Sequence, residues 1–74
     1  MSNKAIEILK NVYLSYSQGE DYYKMKAPLS SQIHDFNMAI KEIDKYIEFV
    51  ERNMTTIKMA LTDDGLEYCM NNFE

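Results

Sequence analysis

Apolar side chains recur at alternating intervals of three and four residues through the second half of the chain. The series is Ile33, Phe36, Ile40, Ile43, Ile47, Val50, Met54, Ile57 and Leu61. This spacing places every member on one face of an α-helix, as at the a and d positions of a coiled coil. One helix over residues 31–61 would be about 46 Å long, whereas a compact domain of 74 residues is about 30 Å across. Such a helix must therefore break or run along a partner chain.

The most favourable position for a break is the segment Arg52–Thr56. Asn53 tolerates the left-handed conformation that ends many helices, and the two threonines that follow are β-branched and disfavour helix. Polar and apolar residues then alternate with a period of two over residues 56–61, which predicts a short strand. We favour a long central helix followed by a turn and this strand, and a helix continuous to Leu61 stays the alternative.

The first part of the series, which we call the isoleucine seam, has two interpretations. Its members are Ile33, Phe36, Ile40, Ile43, Ile47 and Val50. The seam is either the core face on which another helix of the same chain packs, or the contact between two copies of the chain. A domain this small buries a modest fraction of its surface, so self-association would stabilise it. We therefore expect a homodimer.

The N-terminal segment has a second helical pattern. Apolar residues recur at helical spacing from Ala5 onward. Ser2 or Asn3 can cap the helix, and Gly19 predicts its end. The following EDYYKMK, over residues 20–26, is rich in tyrosine and is compatible with a short strand.

The last fourteen residues, LTDDGLEYCMNNFE, carry four acids and no base. They lack the oxygen ligands that a calcium-binding EF-hand loop requires. One possible structure is a hairpin that turns at Asp64-Gly65. The other is a helix with Thr62 or Asp64 as N-cap and Glu67 in its first turns. We favour the helix, because acidic residues near its N-terminus interact favourably with the helix dipole.

Together these patterns predict a mainly α-helical fold, with a small α+β fold as a possibility. The expected order is an N-terminal helix, a long central helix, a short strand and a C-terminal helix, in a single domain over residues 1–74 that forms a helical dimer. The only cysteine is Cys69, so no internal disulfide can form, which suits a reducing compartment. No apolar run approaches the roughly 18 residues of a membrane span. We expect a cytoplasmic protein that does not interact with membranes.

No catalytic or metal-binding constellation is recognisable in the sequence. His34 is the only histidine and is expected on the outer face of the central helix. Cys69 belongs to the apolar stripe of the last helix, without a neighbouring base to activate its thiol. The two glycines stand apart, so a glycine-rich phosphate loop is missing. We expect a protein that is not an enzyme and that uses no cofactor or metal ion.

The charges of the chain are predominantly negative, with a formal net charge of −4. This balance disfavours nucleic acid as a ligand and favours a basic partner. The bases of the central helix, Lys41, Lys45 and Arg52, share one stripe with His34. Because Glu48 lies inside that stripe, we expect a solvent-exposed face with several salt bridges.

The acids of the second half form the best candidate for a partner-binding surface. They are Asp63, Asp64, Glu67 and Glu74, with Glu48 and Glu51 in support. Carboxylates on successive helical turns lie about 5–6 Å apart. A dimer would present two such rows, and this array can imitate the phosphates of a DNA duplex.

The stretch IKMALTDDGLEYCMNNF resembles the end of a winged-helix domain, in which a strand ending in Leu-Thr leads into a helix of the form Thr-x-x-Gly. The matching residues are Leu61, Thr62, Gly65, Leu66 and Tyr68. LSSQIHDF, from Leu29, resembles the second helix of such a domain. The resemblance implies a small DNA-binding transcription regulator with a helix-turn-helix and a wing hairpin. The apolar periodicity, by contrast, predicts one unbroken helix where a winged-helix domain has its helix-turn-helix. It also predicts no wing hairpin.

Asn, Lys, Ile, Tyr, Phe and Met, which have AT-rich codons, supply 35 of the 74 residues. In size, acidity, this amino-acid usage and lack of catalytic residues, the chain resembles small acidic early proteins of phages that infect low-GC bacteria. This resemblance implies a host-takeover inhibitor that presents a DNA-mimicking surface to a basic nucleic-acid-handling host protein. The DNA polymerase sliding clamp is one such target. We expect this function, with the winged-helix regulator as the alternative.

Overall fold

The computed structural model describes residues 1–74 as three helices and one three-stranded sheet. The elements are α1 (Asn3–Ser17), β1 (Tyr23–Lys26), α2 (Ile33–Ile43), β2 (Ile47–Arg52), β3 (Thr56–Leu61) and α3 (Asp63–Asn72). Helices hold 49% of the residues and the sheet holds 22%. The prediction of a mainly α fold is therefore wrong, and the chain is a small α+β protein. None of the helices has the length and apolar character that crossing a membrane requires.

The elements at the two ends of the chain follow the sequence pattern. α1 begins after Ser2, whose hydroxyl oxygen accepts a hydrogen bond from the N–H of Ala5 at 3.2 Å. Gly19, with φ +83°, lies just beyond the end of α1. β1 lies inside the tyrosine-rich segment, and α3 begins at the predicted position with Thr62 as its N-cap.

The long central helix is the element that the sequence predicted wrongly. α2 ends at Ile43, residues 44–46 form a turn, and the chain continues as β2. The segment IEFV at the start of β2 is β-branched and aromatic, and such residues favour strands. Ile47 and Phe49 also satisfy a period of two, so the helical spacing of the seam here was coincidental.

The predicted turn around Asn53 does form, but it joins two strands. The side-chain oxygen of Asn53 accepts hydrogen bonds from the N–H groups of Thr55 and Thr56 at 2.9 and 2.8 Å. Such a local side-chain bond holds a tight reversal of the chain. β2 and β3 consequently form a hairpin, which corrects the expectation that the chain has no hairpin in this region.

The strands lie in the order β1-β3-β2, and both neighbouring pairs are antiparallel. Side chains of β3 alternate between the two faces of the sheet. Ile57 and Met59 are buried together with the helical core residues. Lys58 points to the opposite face, which we call the open face, where its neighbours in β1 are the exposed Lys24 and Lys26.

A β-bulge interrupts β2 at Val50. Phe49 is aligned with Met59, and Glu51 is aligned with Lys58, so Val50 has no partner in β3. A bulge of this kind inserts one residue into a strand and reverses the sides on which the later side chains lie.

The bulge determines the sides taken by the last two residues of β2. Without the bulge, strict alternation would turn Glu51 toward the helices and Arg52 toward the open face. With it, Glu51 is aligned with Lys58 on the open face, and Arg52 is aligned with the buried Ile57. Arg52 therefore lies on the helix side of the sheet.

The core is one cluster of buried side chains between the helices and the sheet. Its members are Ala5, Ile8, Leu9, Val12, Phe36, Ala39, Ile40, Ile43, Ile47, Ile57, Met59 and Cys69. Four members of the isoleucine seam are thus buried within the protomer, while Ile33 and Val50 are 39% and 54% exposed. Because the seam is divided between α2 and β2, it is not one continuous helical face.

Candidate functional site

Three of the predicted partner-binding acids lie together at the start of α3. Asp63 and Asp64 occupy the first turn, and Glu67 follows one turn later. All three are exposed, and we call them the acidic end of α3. The only ion pair in the chain joins Lys58 to Glu51 at 3.8 Å. No base of the protein therefore neutralises these three carboxylates.

The N-cap of α3 is Thr62, so the acids are not required for capping. The Thr62 hydroxyl oxygen accepts a hydrogen bond from the N–H of Gly65 at 3.0 Å and donates one to the carbonyl oxygen of Lys45 at 2.7 Å. Asp64, the other predicted cap, lies inside the helix. The carboxylates of the acidic end are consequently free to contact other molecules.

Lys45 lies beside the acidic end but is directed onto an aromatic ring. Its Nζ is 5.4 Å from the centroid of the Tyr46 ring, which stacks on Tyr68 with 4.5 Å between centroids. Lys45 shares a shallow groove with Asp64 and Glu67. The cation thus lies over the Tyr46 ring and forms no ion pair with these acids.

The other three predicted acids are not part of this group. The Glu74 carboxylate accepts a hydrogen bond from the hydroxyl of Tyr13 in α1, and this bond raises the pKa of Tyr13. Glu51 is paired with Lys58. Glu48 lies on the open face, aligned with Ala60. The predicted set of six therefore divides into one compact group of three and three separate carboxylates.

The bases of the central region form a groove that the sequence did not predict. It has a volume of about 430 Å³ and lies between α2 and the end of β2. The residues that line this basic groove are His34, Asn37, Met38, Ile40, Lys41 and Arg52. None of them is acidic, so the expected face with salt bridges is wrong. The reason is that Glu48 and Glu51 belong to a strand and lie on the open face.

Arg52 is held in the basic groove by three contacts. Its guanidinium carbon lies 4.9 Å from the centroid of the Phe49 ring and 5.7 Å from that of Phe36. Its Nη2 donates a hydrogen bond to Oδ1 of Asn37 at 2.8 Å. Attraction to two aromatic rings and the bond to Asn37 together favour one position of the guanidinium.

A larger groove, of about 650 Å³, lies between the start of α1 and α2. Its lining mixes the basic Lys4 with the acidic Asp35 and Glu42. The Glu42 carboxylate accepts hydrogen bonds from the hydroxyl and the N–H of Ser2, at 2.6 and 3.0 Å. Glu42 thus holds the start of α1 against α2, and its role is structural.

The remaining titratable groups offer no chemistry at a shared site. Burial raises the pKa of the Cys69 thiol to about 11, and this keeps it protonated and unreactive. No three His, Cys, Asp or Glu side chains lie close enough together to hold a metal ion. The surfaces that remain as candidates are the acidic end of α3 and the basic groove.

Neither a protein-family model, nor a curated protein, nor a solved structure matches this chain. Its function must therefore be argued from these two surfaces.

Proposed function

We propose that the protein is a non-enzymatic interaction protein that binds a basic surface of a nucleic-acid-handling protein through the acidic end of α3. The observation that carries this proposal is the state of Asp63, Asp64 and Glu67, which are exposed and unpaired while Thr62 caps the helix. Clustered charges of one sign raise the rate and specificity of association with a complementary surface.

The acidic end is carried on a fixed support. Gly65 lies against the backbone of Tyr46, with no room for a side chain between them. The Thr62 N–H also donates a hydrogen bond to the Tyr46 carbonyl oxygen at 3.0 Å. Because α3 is joined to the start of β2 by these contacts, its carboxylates lose little conformational entropy when a partner binds.

The partner that these carboxylates fit is a protein surface built to bind phosphates. Asp63 and Glu67 are four residues apart on α3, and side chains at this spacing lie about 5–6 Å apart. A cationic site for DNA can accept carboxylates at this spacing in place of phosphates. We propose a phage-type inhibitor of a target such as the DNA polymerase sliding clamp, with a contact confined to Asp63, Asp64 and Glu67 instead of all six predicted acids.

The test is binding to a purified sliding clamp from a low-GC bacterium, measured by calorimetry with and without duplex DNA as competitor. The variant Asp63→Lys, Asp64→Lys, Glu67→Lys should lose at least about tenfold in affinity, which corresponds to about 1.4 kcal/mol. The control is Glu7→Lys, Glu20→Lys, Asp21→Lys, whose acids are also exposed and change the net charge equally.

If the clamp does not bind, the same variant and control are compared by affinity capture from a bacterial lysate. The proposal predicts that a DNA-binding protein is recovered by the wild type and the control, but not by the variant. Equal recovery by variant and control would contradict it.

A second candidate is a winged-helix-like DNA-binding regulator, and the β2–β3 hairpin favours it. The winged-helix resemblance implies a wing hairpin, and these strands are joined by the short turn at Asn53. Against it, only residues 44–46 separate α2 from β2, so no second helix follows α2 to read a DNA groove. A gel shift on random duplex at low salt distinguishes the two: the regulator binds and the inhibitor does not.

A further inference from the structure

Arg52 is an exposed base with no acidic partner within the protein. It is the only arginine of the chain and lies on the helix side of the sheet, aligned with the buried Ile57. Its contacts there are with Asn37 and two aromatic rings, which hold the side chain without neutralising its charge.

The bulge at Val50 is the cause of this placement. Strict alternation in β2 would have put Glu51 in the basic groove, where it would neutralise neighbouring bases. With the bulge, Glu51 lies on the open face and pairs with Lys58, and Arg52 lies in the groove instead. Bulges frequently redirect a side chain next to a functional site. The fold thus assembles a concentration of positive charge on a protein whose net charge is −4.

The groove presents the nitrogen-bearing side chains of His34, Arg52 and Lys41 in a row, and two of them, Arg52 and Lys41, are cations. His34 and Lys41 are seven residues apart in α2, which places them about 10 Å apart along the helix. Arg52 lies between them, because its guanidinium is bonded to Asn37. The Asn37 bond engages one guanidinium nitrogen and leaves other N–H donors of Arg52 for a ligand.

We propose that the basic groove binds a small ligand with two linked phosphate groups, of the nucleoside diphosphate class. An arginine fork suits the bidentate recognition of phosphate. A row of hydrogen-bond donors about 10 Å long, with two cations in it, exceeds what one carboxylate needs and fits linked phosphates. The groove volume of about 430 Å³ lies within the roughly 300–1,000 Å³ of small-molecule sites. The exposed Met38 in the lining supplies an apolar contact for the nucleoside.

The test is an amide NMR titration with ADP as the probe and adenosine as the control ligand. ADP should give saturable shifts at Asn37, Lys41 and Arg52 with a Kd below about 1 mM, and adenosine should bind at least about tenfold more weakly. Arg52→Lys keeps the charge but loses the fork and the stacking, so ADP affinity should fall about tenfold. Lys24→Gln, on the open face, is the matched control and should bind ADP like the wild type.

If Arg52→Lys does not fold, the double variant His34→Gln, Lys41→Gln replaces it, because both side chains are exposed. Three results would overturn the proposal: no saturation with ADP at about 5 mM, equal binding of adenosine, or an equal loss in Lys24→Gln. Complete displacement of ADP by a duplex of about 20 base pairs at equal phosphate concentration would assign the groove to nucleic acid, and would overturn it as well. The acidic end of α3 is unchanged in these variants, so the outcome is independent of the proposed docking.

Discussion

Gly65 lies directly against the backbone of Tyr46, where the start of α3 meets the start of β2. A Cβ at position 65 would overlap the Tyr46 carbonyl oxygen and lie 2.7 Å from the carbonyl carbon. The winged-helix resemblance singled out this glycine, and its role here is close packing of a helix on the turn that leads into β2. The contact fixes the direction of α3 and therefore the position of the acidic end.

Replacement of Gly65 by alanine should destabilise the protein by about 2–4 kcal/mol, because backbone atoms on both sides must move. In an ordinary helix the same change would stabilise by about 1 kcal/mol. Urea unfolding measures the difference. Gly19→Ala is the matched control: position 19 has φ +83° but open space around it, so we expect a loss of only about 1–2 kcal/mol. A Gly65→Ala variant as stable as the wild type would contradict the observed packing.

Removal of the Thr62 hydroxyl should cost about 1–2 kcal/mol, because the N–H of Gly65 loses its acceptor. The same hydroxyl donates to the Lys45 carbonyl oxygen at 2.7 Å, so Thr62→Ala also weakens the junction between α3 and β2. Thr62→Ser keeps the hydroxyl and should retain most of the stability. Thermal unfolding followed by circular dichroism distinguishes the variants. Equal losses of stability in Thr62→Ala and Thr62→Ser would show that the methyl group, and not the hydroxyl, causes the loss.

The stability of the protein should fall as the pH rises above 9. Burial raises the pKa of the Cys69 thiol from 9.0 to about 11. The folded state therefore holds this proton more tightly than the unfolded chain, and the corresponding stability is complete below pH 9 and is lost as the pH rises toward 11. The pKa of Tyr13 is raised by its hydrogen bond to Glu74 and acts in the same direction.

Unfolding in urea at a series of alkaline pH values tests this dependence. Cys69→Ala should reduce the slope, and Cys69→Ala with Tyr13→Phe should reduce it further. An unchanged slope in the double variant would show that other groups cause the alkaline loss.

Acid should loosen the contact between α1 and α2. The hydroxyl and the N–H of Ser2 donate hydrogen bonds to Glu42 and lower its pKa below 4.5. The stability from this contact is present above pH 4.5 and is lost as the pH falls through the lower pKa of the folded state. The midpoint of thermal unfolding, followed from neutral pH into acid, should depend less on pH in Glu42→Gln than in the wild type. Glu7→Gln, an exposed change on α1, should leave the pH dependence unaltered.

Prediction from the sequence succeeded where several local signals favoured the same element. α1 and α3 have a cap residue and an apolar stripe that agree, which favoured a helix over a hairpin for α3, and the alternation of β3 favoured a strand over a continued helix. β2 failed because Ile47 and Val50 satisfy the helical spacing of the seam while IEFV favours a strand. The expected length of a continuous helix correctly argued against that helix, because the protein measures only 33 × 24 × 16 Å. The break occurs after Ile43, nine residues before the segment that was favoured for it.

The two candidate surfaces differ in how far the sequence could predict them. Asp63, Asp64 and Glu67 are close in sequence on one helix, so their grouping required only that α3 form. The basic groove joins α2 to the end of β2 and depends on which side of the strand Arg52 takes. That side is decided by an extra residue, and no composition or periodicity marks where a strand will bulge.

The register between β2 and β3 therefore carries information that the identities of their residues do not. Deletion of Val50 would remove the bulge and leave Glu51 aligned with Lys58 and Arg52 aligned with Ile57, whereas the same residues paired without a bulge would exchange their sides. Substitutions in this strand change the strength of a contact, whereas loss of the bulge at constant length would exchange an acid and a base between the two faces of the sheet. Evolution of the groove should accordingly tolerate new side chains along β2 more readily than a new register.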